Sequence, residues 1–161
     1  MTRRAAVLAT FALLALAAGV ASPAVPPAQG PAVAVVVGRD VALADLSLPD
    51  LRRILLGDRQ FWGDRTRITV LVPPPGSPER AVVLRVIFRM RESEYRQYWI
   101  AKIFRAEVTS GPRVAGADQA KRLVDATPGA IALIPASAVD GSVKVLRVNG
   151  IGPGQAGYAL R

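Results

Sequence analysis

The chain has 161 residues, of which 21 are Lys or Arg and 12 are Asp or Glu, for a formal net charge of +9. It contains neither cysteine nor histidine, which excludes disulfide staples, thiol nucleophiles, Cys-based metal sites and every mechanism that uses imidazole as base or ligand. Only carboxylate chemistry remains, and the acidic residues are scattered singly apart from Glu92 and Glu94, which lie beside arginines; the composition points away from an enzyme, and no cofactor or metal is expected.

Met1-Thr2-Arg3-Arg4 is a short basic stretch, followed by an apolar or small run from Ala5 to Val20. Gly19-Val20-Ala21 then fits the small-x-small pattern of a cleavage site. Together these predict a secretory signal peptide over residues 1–21 and a periplasmic or secreted protein. The alternatives are an uncleaved anchor, for which the run is short against the roughly 20 apolar residues of a membrane span, and a twin-arginine route suggested by Arg3-Arg4. Without Arg3 and Arg4, 19 basic side chains stand against 12 acidic ones, a balance near +7. Charge of that sign draws small oxyanions and anionic lipid or surface polymer. No Lys/Arg block interleaves with aromatics, so nucleic acid is not an expected partner.

Residues 22–31, SPAVPPAQGP, read as a Pro-rich lead-in. Ala32 to Gly38 is a continuous β-branched and apolar run, the pattern of a strand buried on both faces. In LSLPDLRRILLGD, Ser47 is placed to cap a helix, with Pro49 and Asp50 in its first turn, Leu48, Leu51, Ile54 and Leu55 as its apolar stripe, and Gly57 as its stop. A turn at Gly63-Asp64 leads to a strand over about Ile68 to Val72. Three prolines, Gly76 and Ser77 then open a helix with Pro78 at its first position and Val83, Val86, Ile87 and Met90 facing inward. Another helix begins at Ser93, with Tyr95, Tyr98, Trp99 and Ile103 on one face, as core packing or as an aromatic platform. Trp62 and Trp99 read as core anchors. Asp118 is placed to cap a helix reaching Val124 and Ala126. Pro128-Gly129 turns into a strand over AIALIP, SVKVLRV is the last strand, and the glycine-rich tail from Gly150 reads as loose. One domain over residues 32–149 results. Strands alternating with helices argue for an α/β fold, a three-layer-like sandwich with a mixed, mostly parallel sheet flanked by helices.

The ordered series LRRILLGDRQFWGD, PPGSPERAVVLRVIF, YRQYW and VDATPGAIALIPAS resembles the phosphate-binding-protein-like family of periplasmic ABC-transporter components. It looks most like a short, single-lobe member with the type II periplasmic binding fold. The correspondence runs through Ile54-Leu55-Leu56-Gly57 with Trp62, Gly76-Ser77 with Arg80, Tyr95 or Tyr98 with Trp99, and Pro128-Gly129-Ala130-Ile131. The resemblance implies one lobe of a receptor that closes two lobes on its ligand. It also implies that the second lobe comes from homodimerisation or from another membrane or periplasmic protein. Family receptors carry an Arg and an Asp before the Gly-Ser and a Thr shortly after. Here Val72 and Pro73 to Pro75 precede Gly76, Pro78 and Glu79 follow Ser77, and Ala132-Leu133 stand where the family has Gly-Tyr.

The candidate oxyanion ligands are Gly76, Ser77, Arg80 and Arg39. A helix start offers unpaired N–H groups and partial positive charge, and Arg80 could add a bidentate guanidinium. Glu79 and Pro78 work against this, and the plainer reading has Ser77 capping its own helix with Arg80 paired to Glu79 or a nearby Asp. Arg39 follows the first strand, as a second anion contact or as a solvated loop arginine. The expected function is an exported, non-enzymatic solute-binding-like protein that binds phosphate or a related oxyanion weakly. The alternative is a periplasmic adaptor or regulatory module that has lost the ligand.

Overall fold

The structure, a computed structural model, describes residues 31–161. The expected signal peptide and most of the Pro-rich lead-in lie outside the described residues. Six strands form one sheet: β1 Val33–Val37, β2 Asp45–Leu46, β3 Thr69–Val72, β4 Arg113–Val114, β5 Ala130–Pro135 and β6 Lys144–Val148, in the order β2-β6-β1-β5-β3-β4. The pairs β2/β6, β3/β4 and β3/β5 are parallel, whereas β1 runs antiparallel to both its neighbours, β5 and β6. The sheet is therefore mixed and mostly parallel, and β1 is its one reversed strand.

Strand β1 is VAVVV, with all five residues fully buried. Its alternation divides the core. Val33, Val35 and Val37, with Ile131, Leu133, Leu146 and Val72, pack against α1 (Leu48–Leu55), α2 (Pro78–Val83) and α3 (Glu92–Phe104). Ala34 and Val36, with Leu71, Ala132 and Ile134, pack against Ala120 and Val124 of α4 (Ala117–Ala126). The alanines of β1 and β5, Ala34 and Ala132, both face the single-helix side, where Leu71 and Ile134 supply the bulk, so volume matches what covers each face. This is the expected three-layer arrangement. No helix among the described residues is long and apolar enough to cross a membrane.

Local chemistry places the helix starts as the residue pattern predicts. Ser47 Oγ accepts from the Asp50 N–H at 3.1 Å, and Pro49 sits in the first turn of α1. Ser77 Oγ accepts from the Arg80 N–H, also at 3.1 Å, with Pro78 opening α2. Two starts differ from expectation. Helix α3 begins at Glu92, one residue before Ser93, with Arg91 at the N-cap position and the Glu94 carboxylate accepting from the Arg91 N–H at 2.8 Å. Helix α4 is capped by Gly116, and Asp118 lies inside its first turn, 3.2 Å from Lys121. A π-helical turn, Leu84–Phe88, continues α2 and ends at Arg89 in the left-handed region (φ 54°). That widened turn delivers Ile87 and Phe88 to the core, both fully buried.

The tail from Gly150 corrects the expectation of a loose end. Asn149 (φ 53°) and Gly150 (φ 77°) make a tight turn of the type that suits hairpins, and Ile151 exchanges hydrogen bonds with Val148. The chain then crosses β1: the Val33 N–H donates to Leu160 O at 2.8 Å, and the Tyr158 hydroxyl donates to Val33 O at 2.7 Å. Both side chains are buried, Tyr158 at 2% and Leu160 at 0% exposure, and burial pushes the Tyr158 hydroxyl pKa upward. Leu160→Ala should therefore behave as a core truncation, lowering unfolding stability by about 2–5 kcal/mol in a urea titration; a change within 0.5 kcal/mol, as at a surface site, would show the tail to be dispensable.

Candidate functional site

In a mostly parallel sheet the carboxyl ends of the strands collect at one edge, where helices begin. Here β2 leads into α1 through Ser47, β3 into α2 through Pro73 to Ser77, and β4 into α4 through Ala115 and Gly116. Gly76 and Ser77 thus sit on the edge where such sheets hold ligands. Gly76 adopts φ 82° with open space around its Cα, so the loop tip is accessible.

Arg80 is what the geometry treats differently from the expectation. Its side chain is 97% buried, as 3% exposure remains. It does not pair with Glu79 or with an Asp. Its Nε donates to Glu92 Oε2 and its Nη2 to Glu92 Oε1, both at 3.0 Å, a fork-on-carboxylate pair that uses the planar guanidinium fully. The Arg80 Cζ lies 4.2 Å from the centroid of the Tyr95 ring, and Tyr95 in turn packs on Phe88 with centroids 4.7 Å apart and edge-on to Trp99 at 6.2 Å. Arg80 Nη1, Tyr95 Oη and Trp99 Nε1 are buried without a hydrogen-bond partner among the described residues; for Nη1 the π face of Tyr95 supplies part of what is missing. Burial raises the Tyr95 hydroxyl pKa, with the Arg80 charge opposing. The hydrogen bonds from Arg80 hold the Glu92 carboxyl below its usual range. This arginine ties α2 to α3.

Arg39 is not brought to the same place. Because β1 is reversed, its carboxyl end lies beside the start of β5, with Val37 opposite Ile131, at the far edge from Ser77. There the exposed Arg39 lies close to Gly141. Of the four candidate residues, Gly76, Ser77 and Arg80 are neighbours in one loop and helix start, and Arg39 stands apart.

The far edge also carries a cavity of about 400 Å³ lined by Val41, Leu43, Trp62 and Gly129 together with Asp40, Asp64 and Arg59. Trp62 is half-buried and its Nε1 donates to Gly129 O at 3.0 Å. Gly129 is required there: φ is 76°, and an added Cβ would lie 2.4 Å from Arg67 O. A second buried cation, Lys102, secures α3 to the end of α1 through Leu56 O at 2.9 Å, the Tyr98 hydroxyl at 3.0 Å and the Asp58 carboxylate. Burial would lower its pKa, but the bonds to Asp58 and Tyr98 outweigh that and raise it. Glu92 stood out in the sequence only for its neighbouring arginines and Lys102 not at all, since their partners lie 12 and 44 residues away and no local spacing marks such pairs. Among the described residues no group of three or more acidic side chains is arranged to hold a metal ion.

No family model and no curated protein matches the sequence. Solved structures do match in fold. An ABC-type phosphate transport receptor from Vibrio cholerae is 19% identical over 76% of this chain and 48% of its own, with a TM-score of 0.61. PstS from Borrelia burgdorferi is 15% identical over 81% and 54%, at 0.63. A protein assigned as a phosphate ABC transporter substrate-binding protein from Clostridium perfringens, with bound phosphate, is 22% identical over 75% and 46%, at 0.60. The chain spans about half the length of these structures, and has the solute-binding-like fold of one lobe.

Removing either member of the Arg80–Glu92 pair has unequal consequences. Glu92→Leu strands a buried cation and should lower stability by about 3–5 kcal/mol, whereas Arg80→Leu leaves a carboxylate that is 33% exposed and able to take water, for a smaller loss of about 2 kcal/mol. The pair's contribution is complete above the unfolded glutamate pKa of about 4.3 and is lost as pH falls through the depressed folded value. Urea titrations of both variants between pH 7 and the acid limb, at about half-unit steps, check the ranking and the sign; equal losses, or a wild-type advantage that grows on acidification, would contradict it.

Proposed function

We propose that this chain, folded as one lobe of a phosphate-type substrate-binding protein, is an exported, non-enzymatic module that docks to a protein surface. One observation carries this reading. The arginine at the loop where such a lobe would contact an anion is 97% buried and committed to Glu92. An anion arriving at Ser77 would meet a hydroxyl already accepting from the Arg80 N–H, a proline in the next position, and Glu79 beyond it. To recruit the guanidinium it would have to displace a bidentate carboxylate from a desolvated site, which costs several kcal/mol. The basic stretch and apolar run at the N-terminus support export, and the absence of histidine and cysteine supports a role without catalysis.

A second reading is favoured by the placement of Gly76 and Ser77 on the carboxyl edge of the sheet and by the phosphate bound to the Clostridium perfringens neighbour. In it, a phosphate-like oxyanion is held weakly at this loop by backbone N–H groups and the Ser77 hydroxyl, with a second lobe supplied by another chain.

Calorimetric titration of the protein with phosphate, sulfate and citrate separates the two. The docking reading expects no binding heat at anion concentrations up to about 10 mM, weaker than any millimolar Kd. Saturable binding of phosphate that is lost in Ser77→Ala would overturn it in favour of the second. Cell fractionation checks export: a mature chain lacking residues 1–21 in the periplasm or medium is the expected product.

A further inference from the structure

Strand β4 pairs with only Leu71 and Val72 of β3, so the edge of β3 from Ile68 to Val70 has no strand on that side. The loop from Val108 to Pro112 lines that edge instead, and a cavity of about 100 Å³ is left between it and the end of α1. Trp99 forms the inner wall from α3, whose buried side chains are Tyr95, Trp99 and Lys102. Ile103, expected on that inward face, is 42% exposed, and Lys102 takes its place. Two glycines bring backbone against the indole. A Cβ at Gly57 would stand 3.0 Å from Trp99 Cη2, and one at Gly111 3.6 Å from Cγ, Cδ2 and Cε3. The loop is held by Gln60, whose Nε2 donates to Glu107 O at 3.0 Å, and by Arg67, whose Nη2 donates to Thr109 Oγ1 at 2.7 Å.

Three arginines line this cavity, Arg59, Arg67 and Arg113, and no Asp or Glu does. Among the described residues none of the three forms a salt bridge. Arg59 donates through Nε to Phe61 O and Arg67 through Nη2 to Thr109, which leaves guanidinium N–H groups on both. The Glu107 carboxylate turns to Arg105 and Lys102 and does not answer them. Guanidiniums gathered without a counter-charge favour an anion among them. Floor and mouth differ in chemistry: Ile54, Ile68, Val108 and Trp99 are buried, whereas Arg67 and Arg113 are exposed. An inorganic oxyanion would lose water against that floor with no hydrogen bond in return. A carboxylate on a short alkyl chain sets its oxygens on the planar guanidinium forks and its carbons on the floor. We propose that this cavity binds a small aliphatic monocarboxylate in that orientation. At about 30 Å³ for each water-sized group, the volume admits a chain of about two or three carbons with its carboxylate at the mouth. The site lies at the amino end of β3, the opposite end of that strand from Ser77.

This site and the docking reading stand or fall separately. Phosphate binding lost in Ser77→Ala would overturn that reading and leave this cavity untouched, whereas an empty cavity would leave that reading standing. Amide NMR titration of the full chain in mild detergent, with acetate, propionate, phosphate and citrate, tests the site. Propionate should bind saturably with a Kd on the order of millimolar, shifting the amide signals of Ser110, Gly111 and Arg113. Acetate, with one methylene fewer to bury, should bind about fourfold more weakly. Phosphate and citrate at about 10 mM should leave those signals in place. Arg67→Ala and Arg113→Ala should each weaken propionate binding by roughly tenfold with the urea unfolding transition retained. Arg122→Ala, exposed on α4, should leave it unchanged. No saturation by about 50 mM propionate, phosphate competing at the same amides, equal affinity for acetate and propionate, or a Kd indifferent to both cavity arginines would each overturn the proposal.

Discussion

Everything in this lobe is arranged around one strand that has no access to water. β1 is flanked on both edges and covered on both faces, so each of its backbone N–H and C=O groups needs a protein partner, at a cost of about 1–3 kcal/mol for any left unmade. β5 serves it along its whole length, from Val33 opposite Pro135 to Val37 opposite Ile131. β6 reaches only Val35 to Val37. The open positions at Val33 are filled by the Leu160 carbonyl and the Tyr158 hydroxyl. The docking of the C-terminal tail is thus a consequence of where β6 stops.

The reversed direction of β1 also settles which residues can cooperate. Strand ends that look equivalent in the chain, at Arg39 and at Ser77, fall on opposite edges because β1 runs against β3 and β5. A ligand contact shared between them is therefore ruled out by sheet direction alone, whatever the chemistry of the side chains.

The two buried cations show how the three-helix face is held together. Arg80 joins α2 to α3 through Glu92 and the Tyr95 ring, and Lys102 joins α3 to the end of α1 through Leu56, Asp58 and Tyr98. In both cases a long apolar stem fills core volume while the charged head meets its partner at the margin, where the carboxylate keeps some water. With α3 gripped from both ends by charged contacts, its inward face needs fewer apolar residues. Ile100, Ile103 and Phe104 are left exposed on the outer side of the helix.

The elements themselves were legible in the chain. The VAVVV run, the Ser-Pro starts of α1 and α2, and the Pro128-Gly129 turn into AIALIP act through short-range sterics and hydrogen bonds, and they form where residue chemistry places them. The Asn149-Gly150 turn was equally local, but the surrounding glycines hid it as an apparent loose tail. What only the tertiary structure decided were the matters that depend on residues far apart in the chain: the reversal of β1, the partner of Arg80, the burial of Lys102 in place of Ile103, and the fate of Tyr158 and Leu160. A helix with apolar residues on two faces carries no local mark of which one turns inward. That choice is made by what the rest of the fold brings against it, here a carboxylate at Asp58 and a carbonyl at Leu56 that the Lys102 ammonium satisfies.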